Sequence, residues 1–396
     1  MMKGFLRKDG RLGIRNHILV VYLVECAHHV AEKIVGGTHH RNIQLIGFQG
    51  CAPNDYASMM LCRLCTHPNV GGVLLVSLGC ENMDRKSLAE EIENSGRPVR
   101  TVVIQENGGT QKAIALGGRL LDEIVEQVTE GEILADFSFS DLVIGTVCGG
   151  SDATSGLTAN PVVGMTFDEL LKRKACCIFE EPGELIGCEH MLAERARNRE
   201  TALQLVETIR KADRYYKAMG YDSFSAGNGE GGLTTIEEKS LGSYCKSGSA
   251  AIDGVIYPGE LPGGSGLYLL DVVPDGEAKW GFPNPNDNAE IIEMIACGAH
   301  LILFTTGRGS VVGSAISPVI KVCANPRTFE RLQDDMDINA GKIIAGMSGL
   351  KDVSEELLDL IEQICSGQLS KSESLGHCEF VLGYKSFGGL NTKLPS

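Results

Sequence analysis

Short apolar runs alternate with segments of helical spacing along nearly the whole chain, and this rhythm constrains the fold more than any other feature. HILVVYLV (17–24), IQLIGF (43–48), GGVLLVSLGC (71–80) and VRTVVIQENGGT (99–110) read as strands. The helical stretches after them are Cys26 to Val35, DYASMMLCRL, RKSLAEEIENSG and TQKAIALGGRLLDEIVEQV. A helix between two strands returns the chain to the edge it left, so the strands run parallel. Helices on both faces then bury them, which is why the runs are apolar without alternation. After GEILADFSFSD (131–141) the pattern resumes with LVIGTVCGG, ACCIFEEPGEL, GLYLLDVV (266–273) and NAEIIEMIACGAHLILFTTGRG. EHMLAERARNRETALQLVETIRKADRYYKAMG is a long helical region, and VSEELLDLIEQICSG is a closing helix. The 396 residues exceed what one core accommodates. The expected architecture is α/β, parallel sheets flanked by helices in two consecutive domains, 1–135 and 136–396.

In open parallel sheets ligands bind beyond the carboxyl ends of the strands. The polar loops of this chain fall there: VECAHH, FQGCAPND, LGCEN, QENGGT, VCGGSD, FEEPGE and FTTGRGS. The run CGGSDATSGLTANP offers the backbone of Gly149 and Gly150 with Ser151, Asp152, Thr154, Ser155, Thr158 and Asn160. At a helix start it suits an anion; otherwise it is a turn that caps itself. TTGRGS presents Thr305, Thr306 and Arg308, and the arginine can clamp a carboxylate through two donors or lie on the surface of a tight turn. GNGEGGLTTIEEKS, which carries Lys239, is a glycine-hinged lid or a long loop.

Cys26, Cys51, Cys80 and Cys148 each sit at or just past a strand end. Parallel strands bring such residues to one rim, where three or four thiolates can hold iron, zinc or an iron–sulfur cluster; buried small residues are the alternative. Cys62 and Cys65 form a CxxC inside a helix and read as packing. His190 with Glu180 and Glu184 supplies nitrogen and oxygen ligands if the loop folds back.

Other classes are excluded. Net charge is -15 and there is no basic block, which argues against nucleic acid. No apolar run reaches the roughly 18 residues of a membrane span. The 14 cysteines are scattered and the chain opens without an apolar leader, the pattern of a reducing cytoplasm. No strand end carries a dinucleotide fingerprint, TTGRGS lacks a Walker lysine, and G-x-S-x-G and HExxH are missing.

DGRLGIRNHILV, CGGSDATSGLTANP, GNGEGGLTTIEEKSLG, FTTGRGS and DDMDINAG, with LGCEN and ENGGT, occur in an order that resembles the altronate and galactarate dehydratases. The resemblance runs from Gly4 to about Gly383 and extends to the large subunit of sulfolactate sulfo-lyase. It implies a lyase using Fe2+, another divalent metal or an iron–sulfur cluster. The substrate is a small 2-hydroxy acid with a leaving group at C3. The leading expectation is a hydro-lyase that converts a 2,3-dihydroxy sugar acid such as altronate or galactarate to a 2-keto-3-deoxy acid. Release of sulfite from sulfolactate, giving pyruvate, is the alternative, and a non-catalytic scaffold subunit is a reading of another class. Arg308 would hold the C1 carboxylate, with Arg15, Asn16, Ser151, Asp152, Asn160, Thr305 and Thr306 as further substrate contacts. His190, Lys239 and His17 are the proton-transfer candidates, His190 first. The sugar-acid enzymes often carry a small N-terminal domain that has no counterpart here, which implies a separate small subunit, and an oligomer is expected. FQGCAPND and GHCEFVLGYKSF differ from the sugar-acid pattern, so both substrate classes stay open.

Overall fold

A computed structural model describes residues 2–220, 223–275 and 285–387. It contains two parallel sheets and a small antiparallel one. β1 (Met2–Leu6) lies between β2 (Leu12–Gly13) and β7 (Leu134–Phe137), antiparallel to both. β3 (His17–Tyr22), β4 (Ile43–Gly47), β5 (Val70–Ser77) and β6 (Val99–Val103) form a parallel sheet in the order β4-β3-β5-β6. The remaining strands are β8 (Val143–Cys148), β9 (Cys176–Phe179), β10 (Gly254–Ile256), β11 (Gly266–Leu270), β12 (Leu301–Thr306), β13 (Val319–Cys323) and β14 (Ile338–Asn339). They make a seven-stranded parallel sheet, β10-β11-β9-β8-β12-β13-β14. Fold class therefore follows the sequence rhythm.

Alternation within β3 shows how the two halves join. Ile18 and Val20 face one side and pack with Ala27 and Ile34 of the helix Glu25–Gly36 and with Ile124 of Thr110–Glu130. Leu19 and Val21 face the other side, in a core that continues through Met60 into Met294 and Phe304 of the second half. The helix Asp55–Cys65, which contains the buried Cys62 and Cys65, thus lies between the halves beside Asp287–Ala296. Polar links reinforce the seam: Asn69 Nδ2 donates to the carbonyl oxygens of His300 (3.0 Å) and Ile316 (3.2 Å). The C-terminal residues form a strap. Tyr384 donates its hydroxyl to the Ala52 carbonyl at 3.0 Å, and Lys385 Nζ lies 2.8 Å from Glu293.

The expected boundary segment contains β7, which pairs with β1. Two departures from the sequence reading matter. The long helical region breaks before Asn198, whose side chain accepts from Thr201 N and caps a new helix, Arg199–Met219. The glycine-rich stretch folds into two short helices, Ala226–Glu230 and Ile236–Tyr244.

Candidate active site

Strands β8, β9 and β12 open at their carboxyl ends onto a cavity of about 250 Å³. After β8 the chain turns at Gly149 and Gly150. A Cβ on Gly149 would lie 2.1 Å from Asp287 Oδ2, so this close approach admits only glycine, and Gly150 has φ +63°. After β9 comes Glu181 at φ +73°, a left-handed conformation costly for a residue with a side chain. Its carboxylate is fixed from two sides: Cys148 N donates to Oε2 at 2.9 Å, and Lys246 Nζ pairs with it. The short turn Pro182–Leu185 then delivers Glu184 to the same cavity.

Glu184 is the hub of a second network. Lys239 Nζ lies 2.8 Å from Oε1, while Cys148 Sγ (2.7 Å) and Ser243 Oγ (2.9 Å) donate to Oε2. Burial alone would raise the Glu184 carboxyl, but Lys239 and Lys246 outweigh it and hold it at about 2. Burial and the neighbouring Glu184 lift Glu181 to about 7 despite Lys246. Cys148 is pushed well above the ordinary thiol range by burial and by both glutamates. The two lysines therefore balance Glu181 and Glu184.

Among the described residues no ion pair reaches Glu180 or Glu290, the next carboxylates. Both oxygens of the fully buried Glu180 lack a hydrogen-bond partner. Glu180, Glu181 and Glu290 offer three oxygens within 4.8 Å of one another. Burial, then the adjacent acids, drives Glu180 and Glu290 well above the usual carboxylate range. Crowded, dry, oxygen-only donors with one orphaned member fit a hard divalent cation, which would remove the repulsion. Cys148, Glu181 and Glu184 form the other metal-capable group among the described residues, but their charge is already met by lysines. Asp287 also lines the cavity; burial and then Glu184 raise it to about 6.

The structure sorts the expected site residues into three places. Lys239, Ser151 and Arg308 line the cavity. Arg308 stands at its mouth, donating to the Gly227 carbonyl at 2.7 Å and pairing with Glu230 at 3.0 Å, so it holds the Ala226–Glu230 helix. Asp152, Asn160, Thr305 and Thr306 do not line the cavity and are held in internal hydrogen bonds. Asp152 accepts from Thr154 and Asn325, Thr305 donates to Asn160 at 2.7 Å, and Thr306 accepts from Gly309 N.

Arg15, Asn16 and His17 are elsewhere. His17 starts β3, so it sits at the amino edge of the first sheet, opposite to the polar loops. Arg15 is bound to Glu373 at 2.7 Å and to the carbonyls of Ile364 and Gln368, which makes it a brace for the C-terminal helices. Asn16 accepts from Arg7. His190 is exposed on the helix Glu189–Glu194, because the chain leaves the cavity after Glu184. The four-cysteine rim also divides: Cys148 is buried at the end of β8 in the large sheet, whereas Cys26, in the first turn of the helix Glu25–Gly36, and Cys51 and Cys80, on loops, are exposed past strand ends of the other sheet.

Sequence reasoning passed over Lys246, Glu181, Asp287 and Glu290. One signal was present: Glu290 and Glu293 interrupt the apolar run NAEIIEMIA, and an acid on a buried helix face calls for a partner.

Family comparisons agree with this architecture. Residues 4–129 match the model described as D-galactarate dehydratase/altronate hydrolase, second domain, and 139–387 match D-galactarate/altronate dehydratase, C-terminal. The chain is 32% identical over 392 residues to (2R)-sulfolactate sulfo-lyase subunit beta of Chromohalobacter salexigens, covering 96% of each chain. It is 32% identical over 387 residues to altronate dehydratase of Bacillus subtilis, covering 94% of this chain and 75% of that one. It is 34% identical over 315 residues to galactarate dehydratase (L-threo-forming) of Escherichia coli, covering 76% and 57%. The chain belongs to the D-galactarate/altronate dehydratase family.

Proposed function

We propose that the protein is a lyase that removes water from a 2,3-dihydroxy sugar acid such as altronate or galactarate, leaving a 2-keto-3-deoxy acid. The observation that carries this reading is a compact cavity in which buried acids and two lysines meet at the carboxyl ends of β8 and β9. The substrate carboxylate pairs with Arg308, the exposed cation at the mouth. Asp287, held near 6, is matched to taking the C2 proton at neutral pH. Lys239 stays an ammonium beside Glu184 and stabilises the negative charge that develops as C2 loses its proton. The C3 hydroxide then departs with a proton, and the enol becomes the ketone. Glu180, Glu181 and Glu290 would hold a divalent ion, Fe2+ in our reading, which would supply Lewis-acid polarisation.

A second reading, release of sulfite from sulfolactate to give pyruvate, is favoured by the end-to-end coverage of a sulfo-lyase subunit. Against it stands the balance of cavity charges, since more carboxylates than cations line the pocket and sulfolactate carries two negative charges where altronate carries one. The lysines would have to face the sulfonate for this reading to hold. A separate small subunit, an oligomer and a cytoplasmic setting accompany both readings. Among the described residues no helix is long and apolar enough to cross a membrane.

The test is an anaerobic assay with ferrous iron on altronate, galactarate and sulfolactate, with and without a candidate small subunit, following 2-keto acid and sulfite. Water loss from a sugar acid supports the first reading. Sulfite without dehydration selects the second, and no turnover on any substrate with the small subunit present refutes both.

A further inference from the structure

The three cysteines that parted from Cys148 share a position. In the parallel register Tyr22 of β3 lies opposite Gly47 of β4 and Val76 of β5. Cys26, Cys51 and Cys80 each come four residues past those three aligned positions. Neighbouring strands are about 4.8 Å apart, so three equivalent positions past the adjacent strands β4, β3 and β5 place these cysteines along one edge of the sheet. Backbone bonds tie the loops together: Asn82 N donates to the Cys51 carbonyl at 2.7 Å, and Glu25 N to the Gln49 carbonyl at 3.3 Å. All three cysteines are exposed and free. Cys26 lies in the first turn of the helix Glu25–Gly36.

A single ion and a cluster require different separations of their thiolates. In a tetrahedral zinc site Zn–S is about 2.3 Å, which puts the sulfurs about 3.8 Å apart. These three sulfurs do not all lie within 4.8 Å of one another. No histidine, acid or further cysteine among the described residues completes a compact group with them. Thiolates that bond to separate irons of a cluster stand further apart than thiolates on one ion.

We propose that Cys26, Cys51 and Cys80 bind a [4Fe–4S] cluster through three thiolates, leaving one iron without a protein ligand. In assembly each thiol loses its proton as its sulfur bonds one iron. Two ferrous ions, two ferric ions and four sulfides build the core, so no electron is gained or lost. The site is distinct from the carboxylate cavity, and the lyase reading does not enter the argument.

The test is anaerobic reconstitution of the full chain with equal ferrous and ferric iron and sulfide, followed by desalting. The expected result is a brown protein with visible sulfur-to-iron absorption and about four iron and four sulfide per chain. Cys26→Ser, Cys51→Ser and Cys80→Ser should each lower the bound sulfide at least severalfold. Cys378→Ser, at an exposed cysteine on the C-terminal strap, should keep it. Circular dichroism of the variants confirms that they fold. A colourless protein, uptake of a single zinc or iron without sulfide, or a chromophore that survives the triple Cys26/Cys51/Cys80→Ser change would each overturn the proposal.

Discussion

Lys246→Met tests the electrostatic account of the cavity most directly. The Lys246 side chain is 0% exposed and its partner Glu181 is 7% exposed. Methionine keeps most of the volume, so the packing loss is small. What remains is a buried carboxylate without its cation, a change that costs about 3–5 kcal/mol when one member of a buried pair is removed. The cost should depend on pH. Glu181 sits at about 7 even with Lys246 present; without the ammonium it moves higher and escapes the penalty below that point by taking a proton. A carboxyl whose folded value is raised favours the folded state at low pH and disfavours it as pH rises. The variant should therefore lose little stability near pH 6 and the full amount near pH 9. The assay is urea unfolding of chelator-treated protein at both pH values, with the double variant Lys246→Met/Glu181→Gln beside it. The double variant should recover at least half of the loss, because its buried charge is gone. A loss under about 1 kcal/mol at the higher pH, or costs that simply add in the double variant, would refute the pairing.

Other expectations follow from the same geometry. Arg308→Ala should raise KM by about tenfold to a hundredfold, since a charge-assisted pair to the substrate carboxylate is lost; an unchanged kcat/KM removes Arg308 from the site. Asp287→Asn should abolish turnover, and in the parent protein kcat/KM should fall as pH drops through about 6, where Asp287 takes up a proton. A flat acid limb would exclude Asp287 as the base. His17 and His300 are each lowered by burial to about 4. They fold as neutral imidazoles, so their contribution is complete above the ordinary histidine value and disappears as pH falls through about 4, up to roughly 3 kcal/mol each. Urea midpoints that stay level from neutral pH down to about 4 would contradict this.

The sequence alone determined the architecture, because parallel strands leave a local signature. A strand buried on both faces must be apolar throughout, and its crossover must be a helix, so LVIGTVC and LILFTT announce β8 and β12 before any coordinates. The same logic put polar loops at the carboxyl edges and brought Ser151 and Arg308 to one cavity. What the local pattern lacks is the assignment of strands to sheets. Cys26 and Cys148 follow similar apolar runs, yet one ends on β3 and the other on β8, in different sheets. Charge pairing is likewise a property of three-dimensional packing. Lys246 follows a short polar helix and looks like a surface residue until Glu181 is seen against it. The Arg15-Asn16-His17 run entered the expected site through the family resemblance, but it precedes β3 rather than following it. Backbone direction could be read along the chain. Which side chains meet across it was decided only by tertiary structure, because electrostatic and packing energies depend on distance in space rather than separation in sequence.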